Sequence, residues 1–241
     1  MASMYNSHAE LYDRIYAFKD YSAEAESIRT LLQSRGVSDG SRLLEVACGT
    51  GSYLAAFTRW YDVAGCDLSA EMITIARRKL DEAGRPDAPV WATDMRDLTV
   101  DALYDAVLCL FSSIGYLLDE ESVRAAIARM AAAVRPGGLI AIEPWIDRER
   151  YQAGRPHLQT YTSPDLYLAR GNVSELDGDY AVMNMHWLVV PRGGPVTTFV
   201  DHHRLWFCPP SVIERAMRDA GLTPTWLQDG IGRGLWIGVR G

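Results

Sequence analysis

The sequence lacks the cysteine and histidine groupings that define disulfide frameworks and zinc sites. It has four cysteines in 241 residues, and no two of them form a CxxC pair or stand at a spacing typical of zinc ligands. They are Cys48, Cys66, Cys109 and Cys208. Since isolated cysteines in apolar stretches behave as small hydrophobic side chains, we expect free structural thiols, a reducing compartment and no metal site.

Excess positive charge and long apolar runs are also missing. The formal net charge is −7, whereas nucleic acids and anionic membranes require a basic protein surface. No apolar run approaches the ~20 residues that a membrane helix needs, and the N-terminus shows no secretion signal. These absences predict a cytoplasmic protein whose partners are small molecules rather than nucleic acid or membrane.

The first part of the chain alternates short apolar runs with amphipathic segments. The amphipathic segments place apolar residues three and four positions apart, as helices do. The short runs are apolar throughout, which is typical of parallel strands covered on both faces. These runs lie at positions 42–47, 62–67, 88–94, 104–111 and 138–145.

After position 145 the pattern changes. Residues 146–165 are polar and predict a long loop or an irregular segment. Three alternating stretches follow, joined by hairpin signals at Asp177-Gly178-Asp179 and at positions 192–195. A helix at 209–221 and two strands then complete the first sheet. Because long insertions in compact domains are usually functional, we expect the antiparallel layer to be a substrate cap.

Together these patterns predict an α/β fold. We expect a Rossmann-like, seven-stranded, mostly parallel, doubly wound sheet with an inserted antiparallel β layer. The chain would then divide into an N-terminal helical unit, a cofactor-binding core, the inserted layer and a C-terminal unit that completes the core sheet. Their predicted bounds are 1–40, 41–145, 146–208 and 209–241.

The segment EVACGTG (45–51) lies where the first strand meets the first helix of the core, the usual ligand position in an open α/β sheet. Its glycines allow unusual φ values and a close approach of the backbone to a ligand. A dinucleotide fingerprint needs a third small residue where this chain has Leu54, and a P-loop needs a Gly-Lys-Ser/Thr sequence that is missing. Both phosphate-binding interpretations are therefore weakened.

Two carboxylates point to a nucleoside instead. Asp67 ends the second strand, where it can accept hydrogen bonds from both ribose hydroxyls. Asp94 ends the third strand, where it can accept a hydrogen bond from an adenine amino group. A nucleoside that needs no phosphate site, bound at an acidic rim that suits positive charge, matches S-adenosylmethionine.

At these residues the chain resembles the class I S-adenosylmethionine-dependent methyltransferases, with LLEVACGTG as their first motif. The family usually has glycine where this chain has Ala47, and we expect Ala47 to keep an ordinary φ. The resemblance implies S-adenosylmethionine as the cofactor and an N-terminal lid over it. The cofactor-binding residues that it implies are Tyr16, Tyr21, Glu45, Ala47, Gly49, Gly51, Asp67, Leu68, Met72, Asp94, Met95, Phe111 and Ser112.

Further segments narrow the class of substrate. The segment after the fourth strand, LFSSIGYL (110–117), lacks the proline motif of adenine-N6 DNA methyltransferases. The catalytic cysteine of the cytosine-5 enzymes and an aromatic and basic stripe are missing too. Instead, residues 9–25, FSSIGYL, EPW (143–145) and GRGLWIGV (232–239) resemble, in their joint order, the sugar N,N-dimethyltransferases of antibiotic biosynthesis. That resemblance implies methylation of the amine of a TDP-linked amino-deoxy sugar.

Methyl transfer to an amine requires a neutral nitrogen, and correct orientation can supply much of the acceleration. We therefore expect positioning residues rather than an obligatory general base. The candidates at the amine are Tyr12, Tyr116 and Glu143. The candidates for the remainder of the substrate are Arg233, as first choice for the diphosphate, then Arg170, with His203 and Trp145.

Two alternatives stay open at this point. The protein could be a methyltransferase of another small metabolite, or a non-catalytic module that binds S-adenosylmethionine and closes over it to bind a partner protein. The inserted layer could also supply the surface of a homodimer.

Overall fold

The computed structural model describes residues 9–228 and 232–241. Residues 1–8 of the predicted N-terminal unit and 229–231 of the predicted C-terminal unit lie outside the described residues. In chain order the first elements are α1 (Ala9–Ile15), α2 (Tyr21–Ser34), β1 (Arg42–Val46), α3 (Ser52–Phe57), β2 (Asp62–Asp67), α4 (Ala70–Glu82), β3 (Val90–Ala92), β4 (Tyr104–Cys109), α5 (Glu120–Ala133) and β5 (Val134–Ile142). The remaining elements are β6 (Pro156–Thr162), β7 (Leu166–Val173), β8 (Glu175–Asp177), β9 (Tyr180–Pro191), β10 (Thr197–Trp206), α6 (Pro210–Asp219), β11 (Leu222–Leu227) and β12 (Leu235–Arg240).

Seven strands form the main sheet, in the order β11-β12-β5-β4-β1-β2-β3. The pairs from β5 to β3 are parallel, and β12 runs antiparallel to both β5 and β11. This arrangement confirms the predicted mostly parallel sheet. The strand order changes direction between β1 and β4, with β2 and β3 on one side of this pair and β5 on the other. The carboxyl ends of β1 and β4 therefore border the crevice in which such folds bind ligands.

Helices cover both faces of the main sheet because successive side chains of its strands point to opposite sides. Leu43 of β1 packs in a buried cluster with Ile28 of α2 and Phe57 of α3. Its neighbour Leu44 packs in a second cluster with Ile127 of α5 and Ile213 of α6. The doubly wound architecture predicted from the apolar strands is therefore confirmed.

The inserted chain forms a separate antiparallel sheet in the order β10-β9-β7-β6, with β8 paired to β9. Tight turns join β8 to β9 and β9 to β10 at the two predicted hairpin signals. The prediction of an irregular segment at 146–165 is wrong, because β6 pairs with β7 over 156–162. This edge strand carries polar residues on its partly exposed faces and so lacks the apolar alternation by which strands are usually found.

Two further expectations concern the cysteines and membrane-spanning helices. The four cysteines are free thiols, and Cys48, Cys66 and Cys109 are buried, as expected of small hydrophobic side chains. Within residues 9–228 and 232–241, no helix is long and apolar enough to cross a membrane.

Candidate active site

A cavity of about 1220 Å³ lies between the carboxyl ends of the main-sheet strands, the second sheet and the N-terminal helix α1. Its floor comes from residues that follow β1, β2, β3 and β4, and its opposite wall comes from β6, β7, β9 and β10. All but three of the residues predicted to bind cofactor or substrate line it. The three exceptions, Gly51, Ser112 and Glu143, each form a hydrogen bond to a lining residue, namely Cys48, Arg233 and Phe111 in that order.

Three residues of the glycine-rich loop after β1, at alternate positions, adopt left-handed backbone. Gly49 and Gly51 have φ values of 55° and 74°, and Ala47 has a φ of 58°. The expectation that Ala47 would keep an ordinary φ is therefore wrong, because the chain must turn at once where the strand ends. A side chain in this conformation costs about 1–2 kcal/mol. Gly51 also packs directly on Ala76 of α4, where an added Cβ would lie 2.8 Å from the alanine Cβ.

Asp67 connects this loop to the end of β2. One carboxylate oxygen accepts a hydrogen bond from the backbone N–H of Gly49 (2.8 Å), and the other accepts one from Ser69 (2.9 Å). Burial raises the pKa of Asp67, while these backbone hydrogen bonds oppose the rise. Since each carboxylate oxygen has a further lone pair, Asp67 can still accept hydrogen bonds from a bound ligand.

Glu45 lies beneath the loop and is 2% exposed. Glu45 belongs to the lining of the cavity, and its buried Oε2 atom has no hydrogen-bond partner among the residues that the structure describes. Burial, and then the charge of Asp67, raise the pKa of Glu45. A buried carboxylate oxygen without a partner fits a cationic group of a ligand, which would supply the missing charge.

Asp94 is less available than its position suggested. It begins the 3₁₀ turn Met95–Asp97, and its carboxylate accepts hydrogen bonds from the Arg96 backbone N–H (2.8 Å), Nε (2.9 Å) and Nη2 (2.6 Å). Arg96 thereby lowers the pKa of Asp94. A ligand amino group at this carboxylate must share it with the guanidinium.

Glu143 follows β5 on the opposite side of the cavity and is 4% exposed. Its Oε2 atom accepts a hydrogen bond from the Phe111 backbone N–H at 2.7 Å. Burial raises the pKa of Glu143, and the nearby charges of Arg233 and Lys19 oppose the rise. Gly232, with a φ of 62°, passes so close to this carboxylate that a Cβ there would collide with it.

Arg233 lies deep at the same end of the cavity. Its Nη1 atom donates to Ser112 Oγ at 2.8 Å, and the guanidinium lies 4.5 Å from the centre of the Trp145 ring. Burial lowers the pKa of Arg233, while Glu143 opposes the change. The indole Nε1 of Trp145 is buried, and none of the described residues accepts a hydrogen bond from it.

Tyr116 connects the cavity to the second sheet. Its hydroxyl lies 2.7 Å from His203 Nδ1, and His203 Nε2 lies 2.8 Å from a carboxylate oxygen of Asp201. His203 and Asp201 are 5% and 1% exposed. The residues that the structure describes contain no group of three histidine, cysteine, aspartate or glutamate side chains placed to hold a metal ion.

Comparisons with known proteins agree with this geometry. Residues 43–138 match the methyltransferase domain model. The chain is 38% identical over 236 residues to the dTDP-3-amino-3,4,6-trideoxy-alpha-D-glucopyranose N,N-dimethyltransferase of Streptomyces venezuelae, covering 96% of this chain and 97% of that protein. The chain belongs to this N-methyltransferase family. Like its relatives, the enzyme uses S-adenosylmethionine.

Two solved structures show the same architecture as this methyltransferase. The crystal structure of DesVI from Streptomyces venezuelae has a TM-score of 0.89 at 37% identity, and the match covers 98% of this chain and 99% of that one. CalS10, an amino pentose methyltransferase from Micromonospora echinaspora solved with S-adenosylmethionine bound, has a TM-score of 0.83 at 28% identity, with complete coverage of both chains. The match therefore includes the second sheet as well as the cofactor-binding core.

The N-terminal segment of the methyltransferase contacts the cavity through three predicted residues. The rings of Tyr12 and Tyr16 lie 4.6 Å apart, and the Tyr16 ring meets Phe111 edge-on at 5.4 Å. Arg170 of β7 donates to the Tyr16 hydroxyl at 3.1 Å. Tyr21 packs edge-on against Tyr53, with ring centres 5.0 Å apart. Leu68, Met72 and Met95 line the cavity beside Asp67 and Asp94.

Sequence reasoning missed several charged residues of the site. Asp13 of α1 accepts a hydrogen bond from Thr50 Oγ1 (2.6 Å) and pairs with Lys79 Nζ (2.7 Å), which joins the N-terminal helix to the glycine-rich loop. The ammonium of Lys19 pairs with Glu24 and lies over the rings of Phe111 (4.9 Å), Tyr21 (5.3 Å) and Tyr53 (5.4 Å).

Asp201 was missed as well, although a signal for it exists. It stands two positions before His203, so both side chains lie on the same face of β10. For Asp13 and Lys79 the sequence offers no comparable signal, because Asp13 is 37 positions from Thr50 and lies on a different helix from Lys79.

Proposed function

We propose that this methyltransferase adds one and then a second methyl group to the amine of a dTDP-linked amino-deoxy sugar in antibiotic biosynthesis. The observation that carries the proposal is similarity over nearly the whole chain to enzymes named for that reaction. Besides the relative from Streptomyces venezuelae, the dTDP-3-amino-3,6-dideoxy-alpha-D-glucopyranose N,N-dimethyltransferase of Streptomyces fradiae is 35% identical, covering 97% of this chain and 91% of that protein.

The cofactor would occupy the end of the cavity formed by the glycine-rich loop. When bound, S-adenosylmethionine supplies a methyl group that its positive sulfonium activates for transfer. Glu45 offers its unpartnered oxygen to the ammonium of the methionine part. Asp67 offers its remaining lone pairs to the ribose hydroxyls, and Asp94 shares its carboxylate between Arg96 and the adenine amino group.

The sugar amine would lie at the end of the cavity that Tyr12 and Tyr116 line, with the buried Glu143 behind Phe111. Orientation of the amine toward the methyl group is the main contribution we assign to this end. The Glu143 carboxylate stabilises the positive charge that the nitrogen gains, because the residue is buried and the surrounding medium screens that charge weakly.

The remainder of the nucleotide sugar would lie along Trp145, Arg233, His203 and Arg170. Arg233 is our first choice for a phosphate oxygen, since it has several N–H donors and is held against Trp145. The buried indole N–H of Trp145 offers a further donor for a sugar or phosphate oxygen. Arg170, bonded to the Tyr16 hydroxyl, stands on the opposite wall.

The test is incubation of the enzyme with S-adenosylmethionine and a set of dTDP-amino-deoxyhexoses that carry the amine at different ring carbons. We expect mass spectrometry to detect products one and two methylene units heavier for at least one isomer. Turnover of none of them contradicts the proposal. Turnover of an unrelated amine in a parallel metabolite panel indicates another small-molecule methyltransferase, whereas cofactor binding without any turnover indicates a binding module.

Three related expectations stay predictions. They are action in the cytoplasm, the lack of a nucleic-acid or membrane partner, and a homodimer formed through the inserted layer. The division of the chain into a lid, a core, an inserted substrate-binding layer and a C-terminal unit is likewise part of the proposal. Limited proteolysis with and without cofactor would test the lid, and sedimentation would test the dimer.

A further inference from the structure

The buried serine in the turn after β4, Ser112, contacts an arginine of the cavity. The sequence predicts that Ser112 binds the cofactor, but the residue is 1% exposed and lies behind the residues that line the cavity. Its hydroxyl lies 2.8 Å from the Pro144 carbonyl oxygen and 2.8 Å from Arg233 Nη1. Since Arg233 does line the cavity, the hydroxyl connects the segment after β5 to a side chain that a ligand can reach.

The chemistry of the two partners determines which atom donates in each of these hydrogen bonds. A carbonyl oxygen only accepts, and a guanidinium only donates. The Ser112 hydroxyl therefore donates its proton to Pro144, and its oxygen accepts a hydrogen bond from Arg233. The segment after β5 thus orients the hydroxyl, and the hydroxyl orients the guanidinium.

The turn that carries Ser112 is held by contacts that do not involve its hydroxyl. Phe111 and Ser112 both have left-handed backbone, with φ values of 53° and 61°, a conformation that such residues keep only where their surroundings impose it. The Phe111 N–H donates to the Glu143 carboxylate at 2.7 Å, and the Gly115 N–H donates to the Ser112 carbonyl oxygen at 3.0 Å. Loss of the hydroxyl alone should therefore leave the turn in place.

Arg233 is held before any ligand binds. Its guanidinium lies 4.5 Å from the centre of the Trp145 ring, and among the residues that the structure describes Ser112 accepts its hydrogen bond. Glu143 attracts the guanidinium by its charge, and the hydrogen bond adds the direction that this attraction lacks. A guanidinium has several N–H donors, so the bond to Ser112 leaves others for an anionic ligand. An arginine that is already ordered loses less conformational entropy when it binds one.

We infer that Ser112 is a positioning residue for the substrate and not a ligand of the cofactor. Its hydroxyl holds the Arg233 guanidinium in the orientation that receives a phosphate oxygen of the nucleotide sugar. The inference rests on the proposed function, because it takes Arg233 as a phosphate ligand. Ser112 acts through Arg233 and touches no substrate atom itself.

The test measures the affinity for dTDP by calorimetry, with S-adenosylhomocysteine bound, in wild type and in Ser112→Ala. We expect dTDP affinity to fall about tenfold, because the guanidinium loses its acceptor and has to be ordered by the ligand. The affinity for S-adenosylhomocysteine, measured separately, should change less than about threefold. A dTDP affinity equal to that of wild type overturns the inference. A loss of S-adenosylhomocysteine affinity with unchanged dTDP affinity overturns it as well and assigns Ser112 to the cofactor.

A double-mutant cycle with Arg233→Ala distinguishes positioning of the arginine from a general structural role. If Ser112 acts through Arg233, Ser112→Ala should change dTDP affinity less than about twofold once Arg233 is replaced. An equal loss in both backgrounds would overturn the inference. Kinetics with the methylated dTDP-sugar give a second readout. KM should rise about tenfold in Ser112→Ala while kcat stays within about twofold, because a phosphate distant from the amine is bound alike in the ground and transition states.

Two further variants serve as controls. Ser163→Ala removes another turn hydroxyl that donates to and accepts from one residue, Leu166 (3.3 and 3.2 Å), outside the cavity lining. Its dTDP affinity should stay within about twofold of wild type. Ser112→Gly removes the hydroxyl and also relieves the left-handed strain, so it should lose at least as much dTDP affinity as Ser112→Ala. Wild-type affinity in Ser112→Gly would mean that strain and not the hydroxyl governs Arg233, which overturns the inference. Circular dichroism verifies that the variants fold.

Failure of the inference and failure of the proposed function give different results. If wild type methylates a dTDP-amino sugar and Ser112→Ala binds dTDP as tightly as wild type, the inference fails and the proposed function stands. If the dTDP affinities follow the expected cycle but no dTDP-amino sugar is methylated, the proposed function fails and Ser112 remains a positioning residue for a phosphate ligand. A wild-type enzyme that does not bind dTDP overturns the inference, whichever amine it methylates.

Discussion

The two ends of the cavity differ in the contacts that hold Asp67 at one end and Arg170, Arg233 and Tyr116 at the other. At the cofactor end, the Asp67 carboxylate fixes the backbone N–H groups of Gly49 and Ser69, all within one β-α-β segment. At the substrate end, side chains bind other side chains that are distant in sequence. Arg170 and Tyr16 are 154 positions apart, Arg233 and Ser112 are 121 apart, and Tyr116 and His203 are 87 apart.

This difference predicts different responses to substitution. A change at the cofactor end alters the backbone of the glycine-rich loop, so it should affect every residue of that loop that contacts the cofactor. A change at the substrate end removes one side chain from a network whose other members are held by the two sheets. We therefore expect large effects on cofactor binding from the loop and smaller, separable effects on sugar binding.

The largest effect is expected for Asp67→Ala. The substitution leaves the N–H groups of Gly49 and Ser69 without their acceptor and removes the proposed ribose acceptor. Two hydrogen bonds to a charged group are worth about 3 kcal/mol or more, so cofactor affinity should fall at least about 100-fold by calorimetry. The control is Asp62→Ala at the exposed start of the same strand, and an unchanged affinity in Asp67→Ala would contradict the comparison.

A smaller and more selective effect is expected for Arg233→Ala. It removes the guanidinium that bonds Ser112 and packs on Trp145. A charged hydrogen bond is worth about 1.5–3 kcal/mol, so the affinity for the dTDP-sugar should fall about 10–100-fold. Cofactor affinity should change less than about threefold.

The control for Arg233 is Arg215→Ala, which removes an exposed arginine of α6 that pairs with Glu120. Equal sugar affinity in Arg233→Ala and wild type would refute the assignment of Arg233 to the substrate. An equal loss of cofactor and sugar affinity would mean that the two ends of the cavity are not separable.

The comparison also shows which parts of the molecule were predictable from sequence. The cofactor end follows from local patterns, since a strand, a glycine-rich turn and an acidic residue after the next strand occupy neighbouring stretches of chain. The substrate end depends on which residues the two sheets bring together. Trp145, Arg170 and Arg233 were chosen for their chemistry, but no periodicity indicates that Arg233 bonds Ser112 and packs on Trp145.

Two errors have a similar physical cause. The strand β6 was missed because its polar residues face a cavity and solvent rather than a core, so it shows no apolar alternation. The prediction for the φ of Ala47 is wrong because it considers only that alanine usually avoids left-handed backbone. The surrounding turn imposes this conformation on Ala47 in spite of its cost.

Glu45→Gln is expected to have two moderate effects: it should raise the stability of the cofactor-free protein and lower the affinity for the cofactor. Burial raises the pKa of Glu45, so above about pH 4.5 the unfolded chain loses a proton that the folded state retains. Native stability from this group therefore falls as pH rises through the window up to the raised pKa. Because glutamine does not ionise, the cofactor-free variant should be about 1 kcal/mol more stable than wild type at pH 7.

The same substitution should weaken the cofactor. The neutral amide offers no charge to the ammonium of the methionine part, so we expect affinity to fall about tenfold, or ~1.4 kcal/mol. Chemical denaturation at pH 5 and pH 7 measures the first effect, and calorimetry measures the second. Glu26→Gln, at an exposed position of α2, is the control. A variant less stable than wild type at pH 7 would mean that Glu45 has a stabilising role in the free enzyme.

The smallest effect is expected for Ala47→Gly, which tests whether strain in the glycine-rich loop is real. Glycine adopts the φ of 58° without the penalty that a Cβ imposes, so the free energy of unfolding should rise by up to about 1 kcal/mol. The matched change is Gly49→Ala at a φ of 55°, where the new methyl group would meet open space. It should lower the free energy of unfolding by about 1 kcal/mol, because it adds strain without a collision. If both substitutions shift the melting temperature in the same direction, local backbone conformation does not govern the loop, and the cofactor end would depend on distant contacts as the substrate end does.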